Sequence, residues 1–466
     1  MYVHNNLSSE IAMKQVWAKQ ALLTTGWAAD VLITIGTDGR ISKVTSGAKP
    51  QGERVNMLLP APVNVHSHAF QRAMAGLTER RGPDPSDSFW TWRQLMYRFL
   101  DQLSPEHIEA ITAFVQMEML EAGYATNAEF HYLHHQTDGV PYDNIAELSD
   151  RVISAASTTG IGLCLLPVHY QYGGCDQRPL GDGQIRFGND PDQFHTLHQQ
   201  ASQSLHNLSG DAGIGVAPHS LRAVGMDMLK QYATLHPTGP IHMHLAEQIP
   251  EVEEVSAHWR ARPVEWALEN MGLNDRWCLI HCTQMTPDET IGLAQTRAVA
   301  GLCPITESSL GDGIFDGVRW LENDGMIAIG SDSNIRIALA EELRTLDYSQ
   351  RLRDHSRAAL ATQDRSTGRR LYQATLAGGA QATARDTGAL AVGNWADMLC
   401  LDMASVHTAG RSGDTVLDAW IFAGDDRLVT DVWSAGRHVV KDGEHHNKAR
   451  ITSAYLRALQ DLKDAI

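Results

Sequence analysis

Two histidines stand two residues apart in PVNVHSHAF, at the end of the apolar run MLLPAPVNV. In an extended strand residues i and i+2 share a face, so His66 and His68 would project side by side, as two nitrogen ligands of one metal ion must. The pair alone says little, because the chain holds 22 histidines and most histidines are satisfied polar groups. Its weight comes from similar residues at the ends of later apolar runs: His244 and Glu247 in HMHLAE, His281 in CLIHC and Asp332 in GSDSN. Neutral imidazole and carboxylate suit one divalent ion, Zn2+ or Fe2+, with zinc favoured. His66, His68, His244 and Asp332 as ligands leave a position for water, whose pKa the ion would lower toward about 7. Glu247 follows His244 by three residues, beyond the strand end, where it could carry protons without being a ligand. Asp332 would also accept a proton from the attacking oxygen, and His281 would polarise the group under attack.

Such residues need elements to bring them together. Eight short apolar or β-branched runs recur between residues 57 and 334: 57–68, 125–132, 160–170, 213–220, 240–247, 277–284, 299–307 and 326–334. Segments of helical period separate them. One is 104–123, where Ser104 can cap and Pro105 suits the first turn; another is 262–272, stopped by Gly272. Eight strands alternating with helices predict an α/β chain folded as a (β/α)8 TIM-type barrel, whose active site lies at the C-terminal strand ends. Each run but the seventh carries His, Tyr or Asp near that end, whereas structural polar groups would scatter along the strands.

The termini read differently. Residues 1–56 show β-prone runs around an Asp38-Gly39 turn, and the C-terminal part supplies ADMLCLD, RLVTDVWSAGRHVVKDGE and an Asp442-Gly443 turn. We expect 1–56 and 386–466 to form one small β-sandwich domain, with a terminal helix, beside a barrel of 57–385. The formal charge is 38 − 55 = −17, without a long basic run, which argues against nucleic acid or an anionic membrane as partner. An anionic substrate then needs local arginines. The six cysteines include no C-x-x-C pair, and neither a leader-like N-terminus nor an 18-residue apolar stretch is seen, so a reduced, cytoplasmic, soluble protein is expected. The Gly-rich segment 171–212 has the composition of a loop that could cover an active site.

The set HSH, HxxE, a later His and SD resembles the amidohydrolase superfamily, and within it the mononuclear deaminase branch. The resemblance spans nearly the whole chain and implies the split β domain, a homodimer and a single metal, since GIGVAPHS lacks the lysine that binuclear members place on strand 4. It assigns the strand-5 ligand to the His three before Glu, leaving His242 either to packing or to a place behind the ligands. The stretches SHAFQRAMAGLTERRG, DSFWTWRQLMYRF, EFHYLHH and APHSLRAV are similar to the deiminases of that branch that act on N-formimino-L-glutamate in histidine breakdown. That substrate is a small dicarboxylate with a cationic formamidine. Arginine grips carboxylates through paired hydrogen bonds, and Arg93 and Arg222 fit this role. The resemblance adds Gln71 and Tyr132 as substrate contacts, with His219 beside them. The alternative is a guanine-type or other heterocyclic-amine deaminase on the same scaffold; these share the early HxH and aromatic-rich region in looser form.

Overall fold

The computed structural model describes residues 13–79 and 89–463, apart from a few side chains in the first turns of the helix Phe89–Leu100. The strands β1 (Lys14–Leu23), β2 (Gly26–Ile35), β3 (Ile41–Thr45) and β4 (Glu53–Pro60) come first. Nine more surround the site: β5 (Val63–Ser67), β6 (Thr126–His131), β7 (Gly162–His169), β8 (Gly213–Ile214), β9 (Ala217–Pro218), β10 (Ile241–Leu245), β11 (Trp277–His281), β12 (Val299–Leu302) and β13 (Met326–Ile329). The chain ends with β14 (Met398–Leu401), β15 (Val429–Ser434), β16 (Arg437–Lys441), β17 (Glu444–His445) and the helix Lys448–Asp461.

All pairings between neighbours from β5 to β13 are parallel. β13 returns to β5 through Ile329 and Asn64, and a bridge between Val216 and Ile241 closes the ring. The predicted fourth strand is thus present but broken into β8 and β9. Gly215 stands at the break, where a Cβ would meet the Pro240 carbonyl oxygen at 2.5 Å, so only glycine permits the approach.

The first predicted run, 57–68, proves to be two strands. Its first half, in β4, pairs with β1 and β14, and its second half, β5, enters the barrel. Pro60 and Pro62 flank the crossing; neither can donate a ladder hydrogen bond, so the run cannot continue as one strand. The terminal strands join in the order β17-β16-β15-β14-β4-β1-β2-β3. Side-chain alternation gives this sheet two apolar faces. Met57, Leu59, Leu399 and Leu401 pack into the main core, while Leu58, Met398 and Cys400 join Val31, Ile33 and Trp433 in a core of the sheet's own. Asp442 and Gly443, with φ of 52° and 79°, make the positive-φ turn of the β16–β17 hairpin.

Helix Pro105–Glu121 starts as predicted, with the Ser104 side chain accepting the His107 N–H at 3.3 Å. Tyr455 of the C-terminal helix stacks on its Phe114, ring centres 3.9 Å apart. Arg385, buried, donates to Asp397 at 3.1 Å and to Asp211 at 3.2 Å, and Asp211 also accepts from Arg437 of β16 at 2.6 Å. These contacts tie the terminal sheet to the barrel. All six cysteines are free and buried. Among the described residues no helix is long and apolar enough to cross a membrane.

Candidate metal centre and active site

The C-terminal ends of β5, β10 and β11 and the turn after β13 converge on one buried point. Ligand atoms of His66, His244, His281 and Asp332 all lie within 4.8 Å of one another. His68 joins them, its Nε2 3.2 Å from Asp332 Oδ1, and His66 Nε2 lies 3.3 Å from the same oxygen. The four residues predicted as ligands therefore come together, and His281 stands in their cluster rather than apart from it.

The donor set fits a cation. Nδ1 of His68 pairs with the Phe130 carbonyl at 3.0 Å, and Nδ1 of His244 with the His219 carbonyl at 3.0 Å. A carbonyl can only accept, so both Nδ1 atoms carry the proton and both Nε2 atoms present a lone pair. His244 Nε2 then faces His66 Nε2 at 3.1 Å, and His68 Nε2 faces a carboxylate oxygen. The bare Nε2 of His68 and the Asp332 oxygen, 3.2 Å apart, repel unless a positive charge lies between them. Burial, reinforced by neighbouring imidazoles, holds His66 down to about 3 and His244 well below the ordinary range, so both rings are neutral, as metal ligands must be.

A buried polar network sets this geometry. Asn64 donates to Ser331 Oγ at 2.7 Å, Ser331 Oγ to Asn334 at 2.6 Å, and Asn334 to Ser67 Oγ at 3.1 Å. These bonds join β5 to the turn holding Asp332, whose φ is 46°. On the other side of the site, Glu251 accepts the main-chain N–H groups of Ala246 and Glu247. Glu247 Oε1 lies 3.7 Å from His281 Nε2. Burial pushes the Glu247 carboxyl up, with Asp332 and Glu251 acting in the same sense against His281 and Arg222.

Gln71, Tyr132, His219 and Arg222 line the cavity that opens onto Glu247 and Asp332. Gln71 donates to the Tyr132 hydroxyl at 2.8 Å. Burial opposes the charge of Arg222, but Glu251, Tyr170, Glu247 and Glu254 outweigh it and raise its pKa; its Nε is buried with no hydrogen-bond partner. Arg93 belongs to the helix Phe89–Leu100, whose Trp92, Met96 and Tyr97 line the same cavity; its own side chain lies outside the described residues. His242 packs away from the centre against the Ala382 carbonyl, at 2.7 Å. Within 171–212, Phe187 lines the cavity, and the neighbouring Arg186 is pinned by the carbonyls of His135, Leu100 and Leu103.

Three buried acids near the site escape sequence reasoning: Glu251, Glu307 and Asp312. Glu307 contacts His281 Nδ1 at 3.3 Å. Asp312 lies within 4.8 Å of Glu247 and His281, accepts from Gln248 at 2.7 Å, and is pushed up to about 8 by burial and by Glu247. The one available signal was positional, since Glu307 is the last residue of the seventh run.

A parallel barrel with imidazoles and an aspartate gathered at its C-terminal end defines a class, the metal-dependent amidohydrolases. Residues 57–439 match the Amidohydrolase family, and residues 13–54 match the family described as formimidoylglutamate deiminase HutF, N-terminal domain. The chain is 46% identical over 456 residues to a formimidoylglutamate deiminase of Pseudomonas aeruginosa, covering 97% of this chain and 100% of that one. A crystal structure of an amidohydrolase from Brucella melitensis shares 43% identity and a TM-score of 0.92, over 97% of this chain and 100% of that chain. An adenosine deaminase from Xanthomonas campestris with bound zinc has the same fold, with a TM-score of 0.80 at 20% identity over 97% and 98% of the two chains. This chain belongs to the amidohydrolase family, and within it to the formimidoylglutamate deiminases.

Proposed function

We propose that the protein hydrolyses N-formimino-L-glutamate to N-formyl-L-glutamate and ammonia, a step of histidine degradation. The observation that carries this reading is the polarity of one cavity. Asp332 and Glu247 stand where a cationic formamidine would lie, and Arg222, Gln71, Tyr132 and His219 line the same space as contacts for the glutamate part. Arg93, one helix turn before Tyr97, is assigned to a carboxylate as well. The 46% identity to a named formimidoylglutamate deiminase supports the same substrate.

His66, His68, His244 and Asp332 would hold the metal ion, which we take to be zinc because imidazole and carboxylate donors suit it. Bound there, a divalent ion makes water nucleophilic near neutral pH. The remaining steps belong to the chain. Arginine charge and the Gln71–Tyr132 pair orient the substrate, so that the formimino carbon meets the attacking oxygen beside Asp332. Asp332 takes the proton from that oxygen. Glu247, a carboxyl whose pKa burial raises, delivers a proton to the terminal nitrogen, which leaves as ammonia while the carbonyl of the formyl group forms. His281 polarises the group under attack.

The test is ammonia release from N-formimino-L-glutamate and, in parallel, from guanine. Turnover of the first and not the second is expected; the reverse would overturn the assignment. The same reading includes a homodimer in the cytoplasm, checked by sedimentation equilibrium and cell fractionation.

A further inference from the structure

β12 opens the seventh run, 299–307, the one of the eight that carries no His, Tyr or Asp near its C-terminal end. It leads into the helix Pro304–Leu310, and on that helix Glu307, only 5% exposed, turns its carboxylate into the barrel. Glu307 Oε1 accepts the N–H of Cys303 at 2.9 Å and lies 3.3 Å from Nδ1 of His281. A carboxylate only accepts, so Nδ1 of His281 must be the protonated ring nitrogen. Nε2, on the far side of the ring, is thereby left facing Glu247 Oε1 at 3.7 Å.

The backbone beneath this ring is unusual. His281 has φ of 72° and Cys282 φ of 53°, two successive non-glycine residues in the left-handed region. Such conformations persist only where surrounding contacts impose them. Cys282 N–H is held by the Leu245 carbonyl at 3.0 Å, and the ring is held by Glu307. A second carboxylate, Glu247, lies on the opposite side, so without Glu307 the ring is free to turn over toward Glu247 instead.

We propose that Glu307 is a positioning residue for the reaction: it fixes the orientation of His281 and the proton on its Nδ1, so that Nε2 is the nitrogen presented to the reacting formimino group. Metal-site histidines are commonly fixed in this way by a carboxylate on their other nitrogen, and loss of such a partner costs about 10- to 100-fold in activity or metal affinity. The bland alternative is that Glu307 serves only the Cys303 N–H at the start of its helix. That role would contribute stability and leave His281 unaffected.

The two are separated by the zinc-loaded enzyme labelled with 15N-histidine, in which the His281 ring signals are identified by their loss in His281→Asn. Long-range proton–nitrogen spectra of the wild type should show Nδ1 protonated; a His281 with bare Nδ1 overturns the proposal. In Glu307→Ala, kcat should fall about 10- to 100-fold while KM stays within about threefold, and Glu307→Gln, which keeps an acceptor oxygen, should recover most of that loss. Unchanged kcat in Glu307→Ala, or Glu307→Gln no better than Glu307→Ala, overturns it too. Should Glu307→Ala fail to fold, the wild-type spectrum and the kcat of Glu307→Gln decide. The kinetic arm rests on the function proposed above. A wild type that releases no ammonia from N-formimino-L-glutamate defeats that function, while the nitrogen spectrum still decides the place of Glu307.

Discussion

Glu251 accepts the main-chain N–H of Glu247 at 3.0 Å. The residue assigned to proton transfer is therefore held from behind by a second buried acid, one helical turn later in the chain. The Glu247 side chain is left to work while its backbone cannot shift. Glu247→Gln removes only the transferable proton, so bound metal should be retained while kcat falls by about 10²- to 10⁴-fold, the usual scale of acid–base catalysis. Metal analysis and steady-state ammonia release check both halves; full activity in this variant would contradict the role.

Arg222 presents a permanently charged guanidinium to the cavity. Arg222→Ala should lower kcat/KM for N-formimino-L-glutamate by about 2 kcal/mol or more, the scale of a lost charged contact. The same loss is expected for Arg93→Ala. An unchanged kcat/KM would move the carboxylates elsewhere.

The bare Nε2 of His68 faces the Asp332 carboxylate at 3.2 Å, a contact that a cation between them satisfies. Dialysis against a chelator should abolish turnover, and zinc should restore it, with one ion bound per chain by elemental analysis. His66→Ala should bind metal weakly and show negligible activity. A fully active chain without bound metal would contradict the assignment.

Away from the metal centre, burial holds His131 and His169 down to about 3 and His242 to about 4. Their folded pKa values lie below the ordinary 6.5, so the unfolded chain binds more protons between those limits. The stability these residues contribute is complete above pH 6.5 and is lost as pH falls toward 3 to 4. At pH 5 each such residue costs about 2 kcal/mol relative to neutral pH, and Tm should drop steeply between pH 7 and 5. His169 stacks on Phe194 with ring centres 4.5 Å apart, and neither ring nitrogen has a partner. His169→Phe should therefore flatten the slope; a Tm independent of pH would refute the account.

Asp211 accepts from two arginines, Arg385 and Arg437. Asp211→Ala leaves the buried Arg385 with Asp397 as its remaining carboxylate and should destabilise the fold by about 3 kcal/mol, read as a lower urea midpoint. An unchanged midpoint would mean that water compensates the charge.

The barrel was legible because its strands are short apolar runs with helical segments between them, and the ligands because each sits at the end of such a run. His66, His68, His244, Glu247, His281 and Asp332 can be gathered from the order of residues alone. What sequence hid were residues whose meaning depends on approach from another element. Glu251 and Glu307 occupy early turns of helices, where an acid commonly faces water or favours the helix dipole, and nothing local shows that they turn inward. Asp312 sits between glycines and reads as a loop acid. The division of 57–68 was hidden for another reason: both halves are apolar, and only pairing partners assign them to different sheets. The break in the fourth strand at Gly215 likewise depends on Pro240, 25 positions away.

That division has a consequence for how the molecule can be altered. From Glu53 to Ser67 the polypeptide passes from the terminal sheet into the barrel with only Ala61 and Pro62 between the two strands, and the second of these strands carries His66 and leads directly into His68. The outlying sheet is wired in series with the chemistry rather than hung beside it. Grafting a foreign terminal sheet would disturb the placement of His66 before it disturbed anything else.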